Sequence, residues 1–159
     1  MTGFTPDAIG LLRSYIRHRA YLRVALDSLR NDLQRRADVH DLSKLLDDEF
    51  EGFSRINAAA RINKFGSPEY AEGMRRERPT IDLHFSRNSH HVEYGEQSWL
   101  DIVEMVCDWW AARQGYADNQ KTWDETVELN LKHKGHRLSP EQLWLVRQVA
   151  AGMEVPDGE

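Results

Sequence analysis

Along most of the chain, apolar residues recur at three-, four- and seven-residue steps, the period of an amphipathic helix and not of a strand. The first stripe, Leu11, Tyr15, Leu22, Leu26, Leu29 and Leu33, predicts a long helix over about residues 6 to 36. Thr5, Pro6 and Asp7 give it an N-cap, a proline at the first helical position and an early acid. His18 stands three residues after Tyr15 and four before Leu22, so the pattern turns it inward. A second segment over about 39–64, broken near Leu46–Asp48, carries Phe50, Phe53, Ile56 and Ala60 as its core face. "FGSPEY" and "RRERPT" signal turns with little firm order between them. A third helix is expected from about Thr80 through "IDLHFSRNSHHVEY" to Gly95. Ser98 with Asp101 caps a fourth, "WLDIVEMVCDWWAARQG", which stops near Gly115. Thr122 with Glu125 opens a fifth, to about His133, and Ser139-Pro140-Glu141-Gln142 a sixth, to about Ala151. The expected fold is an all-α bundle of about six helices, one domain over 1–151, with a flexible tail at 152–159.

Composition sharpens this without changing it. With 159 residues, 40% hydrophobic and 30% charged, the chain suits one core and is not of the disordered kind. Its net charge of −5 argues against bulk nucleic-acid binding, and the basic cluster "MRRERPT" reads as a solvated loop, with a phosphate-gathering rim as the alternative. No apolar run approaches the ~20 residues of a membrane span, and "MTGFTPDAIG" lacks the features of a signal peptide. The one cysteine, Cys107, permits no internal disulfide; it reads as a buried apolar residue, and a reducing cytoplasm as the natural location.

Within this helical pattern the polar residues do not scatter. The first helix offers His18, the second His40 and Asp41, the third His84, Asn88, His90 and His91, and the fourth Glu104 and Asp108. On a continuous third helix, His84, Asn88 and His91 share a face at i, i+4 and i+7, with His90 displaced by about 100°. Glu104 and Asp108 are likewise at i and i+4. Bundles hold metals with ligands projecting inward from facing helices in this manner. Imidazole and carboxylate suit one or two divalent transition ions (Mn, Fe, Co, Ni or Zn), and two ions bridged by Asp41 would use the surplus of ligands. Each residue also has a plainer reading. His40-Asp41 would serve as a helix cap, His90-His91 as a surface pair, and His18 as a hydrogen-bonded core histidine. His133 and His136, among Lys and Arg near a helix end, are expected to be exposed and inert. Trp99, Trp109, Trp110 and Trp123 read as core and hydrogen-bonded edges.

The order His18, His40-Asp41, Asp108 resembles the HD-domain superfamily of metal-dependent phosphohydrolases, whose pattern is a His, a His-Asp doublet and a late Asp on helices. The extra histidines between doublet and final Asp are similar to its dinuclear branches, which include HD-GYP phosphodiesterases and di-iron oxygenases related to inositol oxygenase. "HDLSK" resembles the His-Asp-x-x-Lys of the HD-GYP branch, which implies a phosphate contact for Lys44; the GYP part is absent, so cyclic dinucleotide cleavage is not implied. A closer resemblance is to a small bacterial and phage family of HD-like proteins. It shares "HDLSK" followed by an acid and Phe (Glu49-Phe50), the run His84, Asn88, His90, His91, and "EM-x-x-DW" (Glu104, Met105, Asp108, Trp109). This covers Tyr15 to about Leu145. The metal ligands it implies are His18, His40, Asp41, His84, His91 and Asp108, helical phase favouring His91 over His90. Asp41, Lys44, Glu49 and Glu104 are the candidate catalytic residues, and Lys44, Asn88 and His90 the candidate substrate contacts. The implied activity is hydrolysis of a small-molecule phosphate ester, such as a nucleotide, by metal-activated water. A di-iron oxygenase on the same ligands, or a helical binding module with a structural metal, are the alternatives. Oligomeric state is not legible.

Overall fold

The computed structural model describes residues 5–63, 67–115 and 121–153. Among them the fold is all-α, with seven α-helices, two short 3-10 helices and no strand. The expected tail lies mostly outside the described residues. The chain divides into two compact units, Met1–His40 and Asp41–Glu159.

The first unit is one helix, α1 (Pro6–Val39). The Thr5 hydroxyl accepts from the Ala8 N–H, as the N-cap reading expects, and Pro6 opens the helix. No residue of α1 is buried. Leu11, Tyr15, Leu22 and Leu26 are exposed, and so is His18, against the inward placement that the stripe predicts. The reason is that a single helix has no second element of its own unit to cover its apolar face.

The second unit begins with a left-handed residue. Asp41 takes φ 56°, ψ 12°, the left-handed region, and is the one non-glycine residue with positive φ among those described. An L-residue there costs about 1–2 kcal/mol, and Asp and Asn bear it best. The 3-10 helix Leu42–Leu45 follows, then extended Leu46, then α2 (Asp47–Ile62). The break expected near Leu46–Asp48 is therefore real, but His40 caps the end of α1 and Asp41 precedes the 3-10 helix, so neither is carried by α2. Within α2 the expected core face is only partly realised: Phe50 and Ala60 are exposed, Phe53 and Ile56 half-buried, and the buried residues are Glu49 and Gly52.

The stretch read as turn holds one helix, α3 (Pro68–Arg76), and the third expected helix, α4 (Arg78–Arg87), starts just before Thr80. Ser67 caps α3 through Tyr70 N–H, with Pro68 at its first position, a start signal that reads equally as a turn. Arg55 of α2 clamps Glu77 between them with two hydrogen bonds of 2.7 and 2.9 Å. The third expected helix ends early, at Arg87, and the chain through Asn88–Gly95 is irregular. Asn88 takes the His84 carbonyl on its side-chain amide at 2.7 Å, and Ser89 donates to Asp101, which draws the chain off the helical path.

The remaining helices start where the capping signals place them. They are α5 (Trp99–Gly115), α6 (Trp123–Lys134) and α7 (Pro140–Gly152), with a 3-10 turn over Gly135–Arg137. Thr122–Glu125 and Ser139–Gln142 form full capping boxes. Asp101 accepts from the Ser98 N–H and hydroxyl at 2.8 and 2.6 Å. These three helices hold the core: Ile102, Met105, Val106 and Trp109 on one face of α5, Trp123 and Val127 of α6, and Val146 and Ala150 of α7. Full burial of Ile102, Val106 and Val146 contributes on the order of 1.5–3 kcal/mol each. The Trp123 indole N–H donates to the Ala150 carbonyl at 2.9 Å, whereas Trp99 is exposed. Cys107 is exposed too, on the side of α5 away from this core. Its thiol pKa is raised, first by desolvation of the sulfur and then by Glu104 and Asp108, which disfavours the reactive thiolate. No described helix is long and apolar enough to cross a membrane.

Candidate metal centre

Asp41 is the pivot of the site. Its backbone conformation turns the carboxylate back along the 3-10 helix, where Oδ2 pairs with Lys44 Nζ. Asp41 occupies the N-cap position of the 3-10 helix, as the cap reading expects, but makes no side-chain cap bond there. The other oxygen, Oδ1, lies 3.1 Å from His84 Nε2 and 3.6 Å from His90 Nε2. One oxygen of Asp41 and one nitrogen each of His90 and His91 fall within 4.8 Å of one another.

The three imidazoles come from two places. His84 is on α4 and 1% exposed, while His90 and His91 belong to the irregular stretch after it, at 3% and 9%. Their rings pack as one cluster, with centroids 4.9 Å apart for His84–His91 and 4.2 Å for His90–His91. The argument from helical phase therefore fails, because neither His90 nor His91 is helical, and both enter the cluster with Asp41. Nor is either exposed, which removes the surface-pair reading. His91 has its pKa lowered to about 3, by burial first, then by His90, His84 and Lys134, with Asp41 opposing.

Carboxylates stand behind the imidazoles. Glu49 of α2 is fully buried and reaches His84 Nδ1 at 2.9 Å. Glu104 of α5 lies 3.4 Å from His90 Nδ1. Asp108, one turn on and half-buried, brings a carboxylate oxygen within 4.8 Å of a His90 nitrogen. Asn88, expected on a helix face, sits instead at the end of α4 and bonds to Ser43. Lys44 is one-third exposed, with its ammonium 4.9 Å from the centre of the Phe53 ring.

Two participants were not singled out from sequence. Ser43 donates to Glu49 Oε2 at 2.9 Å. Arg87 donates to Glu49 Oε1 at 3.0 Å and also grips Asp48, and the bonds to Asp48 and then Glu49 raise the guanidinium pKa above its ordinary value. Ser43 lies inside "HDLSK" and Arg87 beside Asn88, but no periodicity marks either. His18 and His40 belong to the first unit, His18 exposed and His40 half-buried at the end of α1. His133 and His136 are exposed, as expected.

The donor set fits a divalent cation. His84 Nε2 and His91 Nε2 are buried without a hydrogen-bond partner, and a buried polar atom left so costs about 1–3 kcal/mol. Mixed imidazole and carboxylate ligands, with further carboxylates on the rear nitrogens, are what transition ions of the Mn-to-Zn row take. The arrangement defines a class, an all-α protein with a buried imidazole–carboxylate cluster between a 3-10 turn and three helices. The chain belongs to a family of unknown function (DUF5662), whose model matches residues 9–151. No curated protein and no solved structure matches it.

Proposed function

We propose that this protein is a metal-dependent phosphohydrolase of the HD type, acting on a phosphate ester of a small molecule such as a nucleotide. The observation that carries the reading is the two-sided imidazole: His84 and His90 each present Nε2 to Asp41 Oδ1 while a carboxylate, Glu49 or Glu104, backs Nδ1. Asp41, His84, His90, His91 and Asp108 would hold the ion. A bound divalent ion supplies a lowered pKa for water and polarises a phosphoryl oxygen. Lys44 pairs with Asp41 Oδ2 and so holds the carboxylate turned, and its remaining N–H groups can take a substrate phosphate oxygen as a point charge. Glu49, being fully buried, serves as a positioning group and not as a proton carrier to substrate. The HD resemblance adds His18 and His40 of the first unit to the implied ligands, and the His40→Ala variant below tests that addition.

The test is elemental mass spectrometry on protein purified without chelator or nickel affinity, followed by assay against nucleotides and phosphate esters with Mn²⁺, Co²⁺ or Fe²⁺. One or two ions per chain with phosphate release is expected. Asp41→Ala, His84→Ala and His40→Ala should lose the ion, and His136→Ala should keep it. Iron with oxygen uptake and no phosphate release would replace this reading with the oxygenase, and no ion under any loading would remove both.

A further inference from the structure

The donors and acceptors around His84 close on a single arrangement. The Asn88 amide has two protons, and two acceptors stand ready: the His84 carbonyl at 2.7 Å and the Ser43 hydroxyl oxygen at 2.9 Å. The Ser43 proton then goes to Glu49 Oε2 at 2.9 Å. Arg87 saturates the other Glu49 oxygen at 3.0 Å. Two short contacts of His84 Nδ1 remain, to Ser43 Oγ at 3.0 Å and to Glu49 Oε2 at 2.9 Å. Were the Ser43 proton turned to Nδ1 instead, the acceptor-only Glu49 Oε2 would face two lone pairs with no donor; with it on Glu49, both contacts offer acceptors to the ring nitrogen, which places the proton on Nδ1. In a neutral ring that leaves Nε2 with a lone pair, buried, without a hydrogen-bond partner and 3.1 Å from Asp41 Oδ1. Two acceptors at that distance repel unless a cation lies between them.

We propose that Ser43 and Glu49 are positioning residues that lock His84 in the Nδ1–H tautomer and so reserve Nε2 for a divalent cation shared with Asp41. This rests on the metal-site reading, but the tautomer is a property of the metal-free chain and is measured without the ion. Ser43 has the particular task of occupying the second Asn88 proton. Without it the Asn88 amide, already 3.1 Å from His84 Nδ1, donates to that nitrogen and drives the ring proton to Nε2.

The experiment is long-range ¹H–¹⁵N NMR of the metal-free full chain at pH 8, where ordinary imidazole is neutral, paired with Mn²⁺ titration by calorimetry. In the unaltered chain His84 should show a protonated Nδ1 and an unprotonated Nε2. In Ser43→Ala the balance should move towards Nε2–H, with Mn²⁺ affinity lower by about 10- to 100-fold. Ser43→Thr keeps the hydroxyl and should restore both. Glu49→Gln is the second variant, with the same direction expected. An Nε2–H ring in the unaltered chain, or an unchanged tautomer in Ser43→Ala, would overturn the lock. A chain that has the Nδ1–H ring yet takes up no Mn²⁺ or other divalent ion would overturn the metal-site reading and the reserved role of Nε2, leaving the hydrogen-bond closure as a fold feature only.

Discussion

Asp41 answers to two demands at once, a left-handed backbone and a carboxylate aimed at His84 and His90. Asparagine meets the first and fails the second; alanine fails both. Asp41→Asn should therefore fold with near-normal stability, apart from the lost Lys44 pair, and Asp41→Ala should lose about 1 kcal/mol more in urea denaturation. Both should bind divalent ions at least ~10-fold more weakly. If Asp41→Asn binds as before, the carboxylate is not a ligand. His91 gives a pH signature. Folding lowers its pKa from 6.5 to about 3, so the unfolded chain takes a proton that the folded chain refuses. Stability is intact above pH 6.5 and is lost progressively as pH falls towards 3. Metal-free protein should have a lower urea midpoint at pH 5 than at pH 7, and equal midpoints would mean that His91 is not buried as neutral imidazole.

At the level of elements, the site depends on how closely α2 and α4 cross, because they deliver Glu49 and His84. Gly52 sets that distance: a Cβ there would collide with the Thr80 side chain of α4. Gly52→Ala should cost on the order of 1–3 kcal/mol by thermal or urea unfolding and weaken divalent-ion binding with it. An unaffected melting curve would mean that the helices separate freely. Helix starts were the legible part of this fold, since Thr5, Ser98, Thr122 and Ser139 each carry a local bond between a side chain and a backbone three residues on. The end of α4 was not legible. It depends on Asn88 meeting Ser43, 45 residues away, and on Ser89 meeting Asp101, and no local period encodes such partners. For the same reason the residue types of the site could be collected from sequence, but not Ser43, Arg87 or the non-helical placement of His90 and His91.

Across the whole chain, the second unit contains both the hydrophobic core and the imidazole cluster. α5 supplies Ile102, Met105, Val106 and Trp109 to the core, and Glu104 and Asp108 to the cluster. The other side of the cluster is made by the short turn at Asp41 and the irregular chain at His90 and His91, which joins that core through Val92 and not through a helix face. The amides of α5 should accordingly exchange with deuterium only through global unfolding, and those of Asn88–Gly95 through smaller openings. Saturation with Mn²⁺ should slow the second group far more than the first; equal slowing of both would mean that the site opens only with the core. On the proposed metal reading, helix α5 would be a fixed jaw and the histidine loop a moving one, so that an ion could enter or leave in the time of a loop fluctuation while the protein stays folded.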